Sequence, residues 1–322
     1  MELRNIRPEE RDAVLDLLSN WLNSREFFAR YLDHDPTFRD DLCFVGVDRG
    51  RVVSTLQVLR KRVRMLGAVV EVAAVANVFT AEDYRDRRLA SQLIEKASEA
   101  MVENGFDLSL LFATRIPFYG RLGWQSHPRQ LTFIEAANGQ PAGDYAVRPF
   151  AVGDLPSIAS LYDDYNAHHD GTTVRDAAYW IGQLRYAGNP DEHFLVATEH
   201  DRIIAYVRGT TLYDFYVVLE HGHLPGYEAG LTQLLCNLHF GPAGALPGTI
   251  AQLSIAPAVQ SALAGRGLHL RDVEDAFWMW RVVSAERLAA KLKIDPAECQ
   301  RQDLFFRLLP PARSVYWISD RF

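Results

Sequence analysis

The stretch Asn77-Val78-Phe79-Thr80-Ala81-Glu82-Asp83-Tyr84-Arg85-Asp86-Arg87-Arg88-Leu89-Ala90-Ser91-Gln92-Leu93 decides how this chain is read. It begins inside a run, residues 69–79, that is almost wholly apolar and rich in valine. Such a run predicts a strand buried on both faces at the centre of a sheet. A polar loop follows, from Thr80 to Asp86. From about Arg87 to Glu103, Leu89, Leu93, Ile94, Ala97 and Met101 then fall on one helical face. Asn104-Gly105 supplies the stop. A helix N-terminus exposes about four unpaired N–H groups and roughly half a positive charge. Arg85, Arg87 and Arg88 add three guanidinium groups, and together these make a receptor suited to a pyrophosphate. The small Ala90 and Ser91 let backbone approach closely. A solvated Arg/Asp turn that merely caps a helix fits the same residues.

Outward from this stretch, Asp107–Ala113 reads as a second buried strand and Pro117–Leu122 as a short helix. Trp124–Glu135 is expected to hold the strand that closes the sheet. Upstream and downstream, two patterns recur. Ile6-Arg7-Pro8, Asp12 and the apolar Val14, Leu15, Leu17, Leu18 are echoed by Val147-Arg148-Pro149, Asp154, Leu155, Ile158 and Leu161. Each predicts a short strand, a turn and a helix begun near proline. The hairpin pattern at residues 45–53 is echoed at 196–204. The spacing is domain-sized, so one fold occurs twice. The turn-rich Asn138-Gly139-Gln140-Pro141-Ala142-Gly143 suits a linker. The expected units are therefore residues 1–140 and 144–322. In the second, residues 224–240 should hold the matching loop and helix, and they contain no arginine. In the tail, Phe277–Val283 reads as a strand, Ala285–Leu292 and Glu298–Leu309 as helices, and Val315–Phe322 as a last strand.

The bulk numbers narrow the class. The 322 residues are 48% hydrophobic and 23% charged, as in a packed protein of two domains. The formal charge of −7 lacks the basic surplus of a nucleic-acid binder. No run reaches the roughly 18 apolar residues of a membrane span, and Met1-Glu2-Leu3-Arg4 does not open a secretory signal. Cys43, Cys236 and Cys299 are too scattered for zinc or a disulfide framework. These features predict a cytoplasmic protein with no nucleic-acid or membrane partner. Self-association into a homo-oligomer is left open.

The residues now on the page resemble the GNAT superfamily of N-acetyltransferases. Its signature after the fourth strand, Arg/Gln-x-x-Gly-x-Gly/Ala, corresponds to Arg85-Asp86-Arg87-Arg88-Leu89-Ala90, with Arg88 where the first glycine belongs. Phe118-Tyr119-Gly120-Arg121-Leu122-Gly123-Trp124 matches the family's turn after the fifth strand. The tandem arrangement is similar to the Eis-type enzymes, although the segment from Asp275 is too short for their third, sterol-carrier-like domain. The resemblance covers residues 1–135 well and thins beyond. It implies a mixed α/β sheet in each of two tandem domains, the second degenerate. It implies acetyl-CoA as co-substrate, held by the edge of Val78, Phe79 and Thr80, by the backbone of Asp86 to Ser91 with Arg85, Arg87 and Arg88, and beside Thr114 and Arg115. Tyr119 would be the general acid toward the leaving thiolate, or else a core aromatic. Arg88 could add a phosphate contact or crowd the site.

The general base is not written in the fourth strand. Glu71 lies an odd number of positions from the family's place, occupied by Ala74, and so should face the other side of the sheet and be structural. Eis-type enzymes put a C-terminal carboxylate in the site, and Phe322 is the corresponding residue here. Trp21, Phe27, Phe28 and Tyr31 lie where the family builds the acceptor pocket and serve equally as core. His168-His169-Asp170 and His221-Gly222-His223 lack a third ligand in phase, so no metal is expected. The expected activity is acetyl transfer to a primary amine, of a small molecule or a peptide, by direct attack. The alternative is a non-catalytic acyl-CoA-binding module.

Overall fold

The computed structural model describes every residue except 23, 136, 138–142, 187–191 and 213, and every side chain of these except 22, 30, 31 and 186. The chain forms two seven-stranded mixed sheets. The first is built from β1 (Glu2–Asn5), β2 (Cys43–Asp48), β3 (Arg51–Met65), β4 (Ala68–Thr80), β5 (Leu108–Phe112) and β6 (Gln125–Ser126). Its helices are α1 (Arg11–Leu22), α2 (Arg25–His34), α3 (Leu89–Glu103) and α4 (Ile116–Gly120). Next in the chain is β7 (Arg129–Glu135). The second sheet is built from β8 (Ala146–Pro149), β9 (His193–Glu199), β10 (Arg202–Leu212), β11 (Phe215–His223), β12 (Gly248–Ala251) and β13 (Leu270–Asp275), with α5 (Leu155–Asn166), α6 (Ala177–Tyr186), α7 (Glu228–Phe240) and α8 (Pro257–Gly265). The tail adds β14 (Trp278–Val282), α9 (Ala285–Leu292) and α10 (Leu304–Leu308).

The strand orders are β1-β2-β3-β4-β5-β14-β6 and β8-β9-β10-β11-β12-β7-β13. They are the same order, with the seventh strand exchanged. β7 pairs with β12 and β13 in the second sheet, and β14 pairs with β5 and β6 in the first. The expectation that Trp124–Glu135 closes the first sheet is thus corrected: only Gln125–Ser126 stays there. The reason is that a strand's own pattern specifies burial but not which neighbour supplies its ladder.

The long hairpin β3–β4 turns at Leu66-Gly67, both at positive φ, with Met65 paired to Ala68. That two-residue turn matches the strands' twist. β4 is buried on both faces. Ala73 and Val75 pack under α3 with Leu93, Ile94 and Ala97, while Val70 and Val72 pack against the tail, with Leu288 of α9 and Leu308 of α10. Burying each such side chain stabilises by about 1.5–3 kcal/mol. The α1 and α2 helices cover β2 and β3 through Val14, Leu18 and Phe28. Two tail expectations are corrected. Helix formed within 298–309 only as a short 3-10 turn at Pro296–Gln300 and as α10, and Val315–Phe322 is not a strand but holds a 3-10 turn at Ile318–Asp320. Its apolar side chains are buried with no strand ladder, and hydrogen bonds such as Trp317 Nε1 to Asn166 Oδ1 at 2.9 Å help hold the segment. The linker expected at 138–143 lies outside the described residues save Gly143. No helix among the described residues is long and apolar enough to cross a membrane.

Candidate functional site

The first sheet opens between β4 and β5. Their parallel pairing runs from Val72–Leu108 to Val75–Leu111 and stops. β4 continues to Thr80 along β3, but with a bulge between the Gln57–Ala76 and Thr55–Phe79 pairs. Asn77 sits in that bulge at φ +52°, a left-handed value that Asn tolerates better than most residues. The β5-facing edge of Val78, Phe79 and Thr80 therefore carries backbone groups with no ladder partner among the described residues. Sequence reading passed over Asn77 and its Nδ2 bond to Gln57 Oε1 at 2.7 Å. A lone asparagine within an apolar strand was the available signal. Thr80 is fixed by its hydroxyl, 2.8 Å from that of Ser54, and the Phe79 ring stacks on Trp21 at 6.1 Å.

From β4 the chain enters a loop pinned to the β2–β3 hairpin. The Ala81 N–H donates to Val53 O at 2.8 Å, Tyr84 Oη donates to Asp48 at 2.8 Å, and Arg51 pairs with Asp83 at 2.8 Å. Arg87 is drawn back onto the loop, donating to Asp83 O at 2.9 Å with its guanidinium 4.6 Å over the Tyr84 ring. Arg85 lies 3.4 Å from Glu82, an exposed and weak contact. Arg88 is exposed and has no side-chain partner among the described residues. Both Asp86 (φ +63°) and Arg88 (φ +61°, ψ +17°) are left-handed. Arg88 stands where the resemblance puts a glycine, and its left-handed φ is one that glycine adopts without strain. A side chain in this region costs about 1–2 kcal/mol.

At the start of α3, Gln92 N donates to Arg88 O at 3.0 Å, the first turn of the helix. No side chain caps the helix, and its first turn has no acidic residue. The N–H groups of Leu89, Ala90 and Ser91 have no acceptor within the helix. Leu89 itself is buried among Val14, Leu18 and Ala81, so only its backbone faces the loop.

Tyr119 lies on α4, after Thr114 and Arg115, which are both exposed beyond β5. Its ring meets Phe118 at 4.9 Å and Trp124 at 6.2 Å, and it packs with Val78 and α3 in one cluster. The hydroxyl has no hydrogen-bond partner among the described residues. Burial pushes its pKa up to about 12 against the pull of Arg115, so it is protonated at neutral pH. The turn after it is held from the other repeat. Arg281 of β14 donates to Leu122 O at 3.2 Å, stacks 4.1 Å over Trp124, and would stand 3.3 Å from a Cβ at Gly123, which is at φ +94°.

Glu71 is bonded by Arg60 at 2.8 Å, a structural carboxylate. The Phe322 ring packs against Tyr316 in the cluster with Val72 and Leu110, while the Arg321 guanidinium lies 4.0 Å over Phe112, the last residue of β5. Both residues thus lie on the face opposite α3, at the level where β4 and β5 part. Of the aromatic group, Trp21 and Phe27 are exposed and Phe28 is core. The Tyr31 side chain lies outside the described residues. Among the described residues no cluster of three or more His, Cys, Asp or Glu is arranged to hold a metal.

Residues 2–126 match the model of the acetyltransferase (GNAT) domain. Among curated proteins, none matches the chain's sequence. Among solved structures, the fold is similar to that of a GCN5-related N-acetyltransferase from Anabaena variabilis (TM-score 0.69, 16% identity, 89% of this chain and 74% of that one). It is also similar to a probable N-acyltransferase from Enterococcus faecalis (0.68, 15%, 90% and 74%) and to Eis1 from Mycobacterium abscessus (0.61, 14%, 89% and 75%). At such identities the likeness is one of fold.

Proposed function

With residues 2–126 forming a GNAT acetyltransferase domain, we propose that this chain moves an acetyl group from acetyl-CoA to a primary amine by direct attack. The observation that carries the reading is the open wedge between β4 and β5, ending at an uncapped, acid-free helix N-terminus. The free edge of Val78, Phe79 and Thr80 would pair with the amides of the pantetheine arm. The N–H groups of Asp86 to Ser91, with Arg85, Arg87 and Arg88, would hold the pyrophosphate. Thr114 and Arg115 would flank the arm where it leaves β5. The amine nitrogen attacks the thioester carbonyl, its proton passes to a base, and the C–S bond breaks. Tyr119, protonated at neutral pH, would donate to the departing thiolate. The proposed base is the carboxylate of residue 322, since Glu71 is engaged by Arg60 and Arg321 and Phe322 lie where the strands part.

We place this activity in residues 1–140 and treat 144–322 as the degenerate copy. The protein is proposed to act in the cytoplasm on a small-molecule or peptide amine. A free-thiol assay with acetyl-CoA against a panel of amines tests the reading. Amine-dependent thiol release supports it. CoA binding without release supports the second reading, a non-catalytic acyl-CoA-binding module, which the strained Arg88 favours. Adding two residues after Phe322 separates the base from the rest. An extended chain of full activity removes that assignment alone.

A further inference from the structure

Between α5 and α6, Arg175 is fully buried and forks onto the tail. Its Nε donates to Asp320 Oδ1 at 3.0 Å and its Nη2 to Asp320 Oδ2 at 2.9 Å. The same Nη2 donates to Glu220 Oε2 on β11 at 2.6 Å and to Ser319 Oγ at 2.9 Å. Gln183 of α6 donates to Ser319 O at 2.6 Å and to Asp320 Oδ1 at 3.1 Å, and Tyr316 Oη donates to Asp320 O at 3.1 Å. The guanidinium lies in the corner formed by Tyr162 and Trp180, 4.1 and 4.5 Å from their rings, which meet edge to face. Apart from Tyr316, which lies in the tail itself, these partners of Asp320 come from the body of the second repeat, between α5 and the end of α6. The next two residues, Arg321 and Phe322, lie against the first repeat where β4 and β5 part.

A buried ion network is a costly way to glue down a tail. Apolar side chains of the same volume do it as well or better, because ions must be stripped of water. What a bidentate fork supplies is direction: it admits one position and one orientation of the carboxylate it holds. We propose that Arg175, Glu220 and Asp320 are positioning residues, by which the second repeat holds Arg321 and Phe322 as one wall of the acceptor site of the first. This rests on the acyltransferase reading above. It gives the second repeat a role in the reaction without a cofactor of its own.

The test uses the full chain. Asp320→Asn keeps the shape and weakens the fork. Gln183→Met, a milder change, serves if the first variant folds poorly. Leu234→Ala, in the second sheet's core, is the control for lost stability without a contact to the tail. At a temperature below every melting point, the fork variants should lower kcat/KM for the amine about tenfold with CoA affinity unchanged, and carboxypeptidase A should release Phe322 at least about tenfold faster. The control should change neither. Parental kinetics in a fork variant, or equal losses in the control, overturn the proposal. If the parent frees no thiol with any amine, the acyltransfer reading has failed. The cleavage rate then still decides the clamp, and an unchanged rate overturns it.

Discussion

The two repeats carry the same wedge and use it differently. In the first, β4 leaves β5 after Val75–Leu111, and in the second β11 leaves β12 after Val217–Ile250. Each leaving strand runs on beside a bulge, between Thr55 and Gln57 in one sheet and between Arg208 and Gly209 in the other. Phe79 follows Val75 at the distance at which His221 follows Val217. There the likeness ends. The Phe79 ring turns away to stack on Trp21, and its edge stays open. His221 is buried and bridges its wedge, with Nε2 2.9 Å from Gln252 O just past β12, while Trp317 of the tail meets it edge to face at 4.8 Å. The helix ends differ as well. The α3 helix starts behind three arginines with no acid in its first turn, whereas α7 starts with Glu228. Beside Glu228 is a cavity of about 300 Å³ that also bears Asp164. Carboxylates at a helix N-terminus neutralise the charge that would attract an anion. A fold repeated with its backbone wedge intact thus presents two helix ends of opposite electrostatic character through a few side chains.

The largest effect expected on this contrast is at Tyr119, which the second wedge does not reproduce. Tyr119→Phe should lower the turnover rate by on the order of 10²-fold or more and leave CoA affinity nearly unchanged. A variant that matches the parent across pH would reduce Tyr119 to packing. Next, the first helix end can be made to resemble the second. Ala90→Glu and, separately, Arg85→Glu should each weaken CoA binding at least about tenfold, read by calorimetry. Unchanged affinity in both would move the pyrophosphate elsewhere.

The third prediction concerns the closed side. His127, His169, His221 and His239 all have pKa values pulled down by burial, His221 to about 3. A histidine with a depressed folded pKa binds its proton more readily when unfolded. Stability is then fully present above the unfolded value near 6.5 and falls as pH drops toward 3, by about 1.4 kcal/mol per pH unit for one such group. Denaturant titrations at pH 7 and pH 5 should show this loss, and His221→Asn should lessen it. A stability that is flat from pH 7 to 5 would mean that the plug is not held neutral. The smallest effect is at Arg88. Arg88→Gly removes a left-handed side chain and should raise stability by roughly 0.5 kcal/mol, or about 1–2 °C in melting temperature. A lower melting temperature would show that Arg88 contributes contacts which outweigh its strain.

Much of this was legible because it is local. The apolar run of β4, the one-sided periodicity of α3, and the paired strand–helix–hairpin patterns near Arg7 and Arg148 are short-range signals; β4 and α3 lie within two residues of where those signals put them, while β3 and β10 run on past the hairpin patterns to Met65 and Leu212. The arginine loop was legible for the same reason, as was the lack of arginine around Tyr227. The conformation of Arg88 was not, since residue type does not reveal φ. Nor was the bulge at Asn77, which exists only relative to β3.

The sequence by itself determined that the chain repeats one α/β pattern, that one copy alone has a basic loop before its helix, and that Tyr119 lies in the turn beyond the fifth strand. Only the tertiary structure decided that the repeats exchange β7 and β14, so that Arg281 braces the turn of Tyr119 from the far side of the chain. It alone decided that Val315–Phe322 is tied down by Arg175 and not by a ladder, and that His221 fills the second wedge. The physical reason is common to all three. Apolar pattern fixes how much of a segment must be buried, but the partner that buries it is chosen by shape and hydrogen bonding between residues more than a hundred positions apart, or across a wedge that exists only once the sheet has formed.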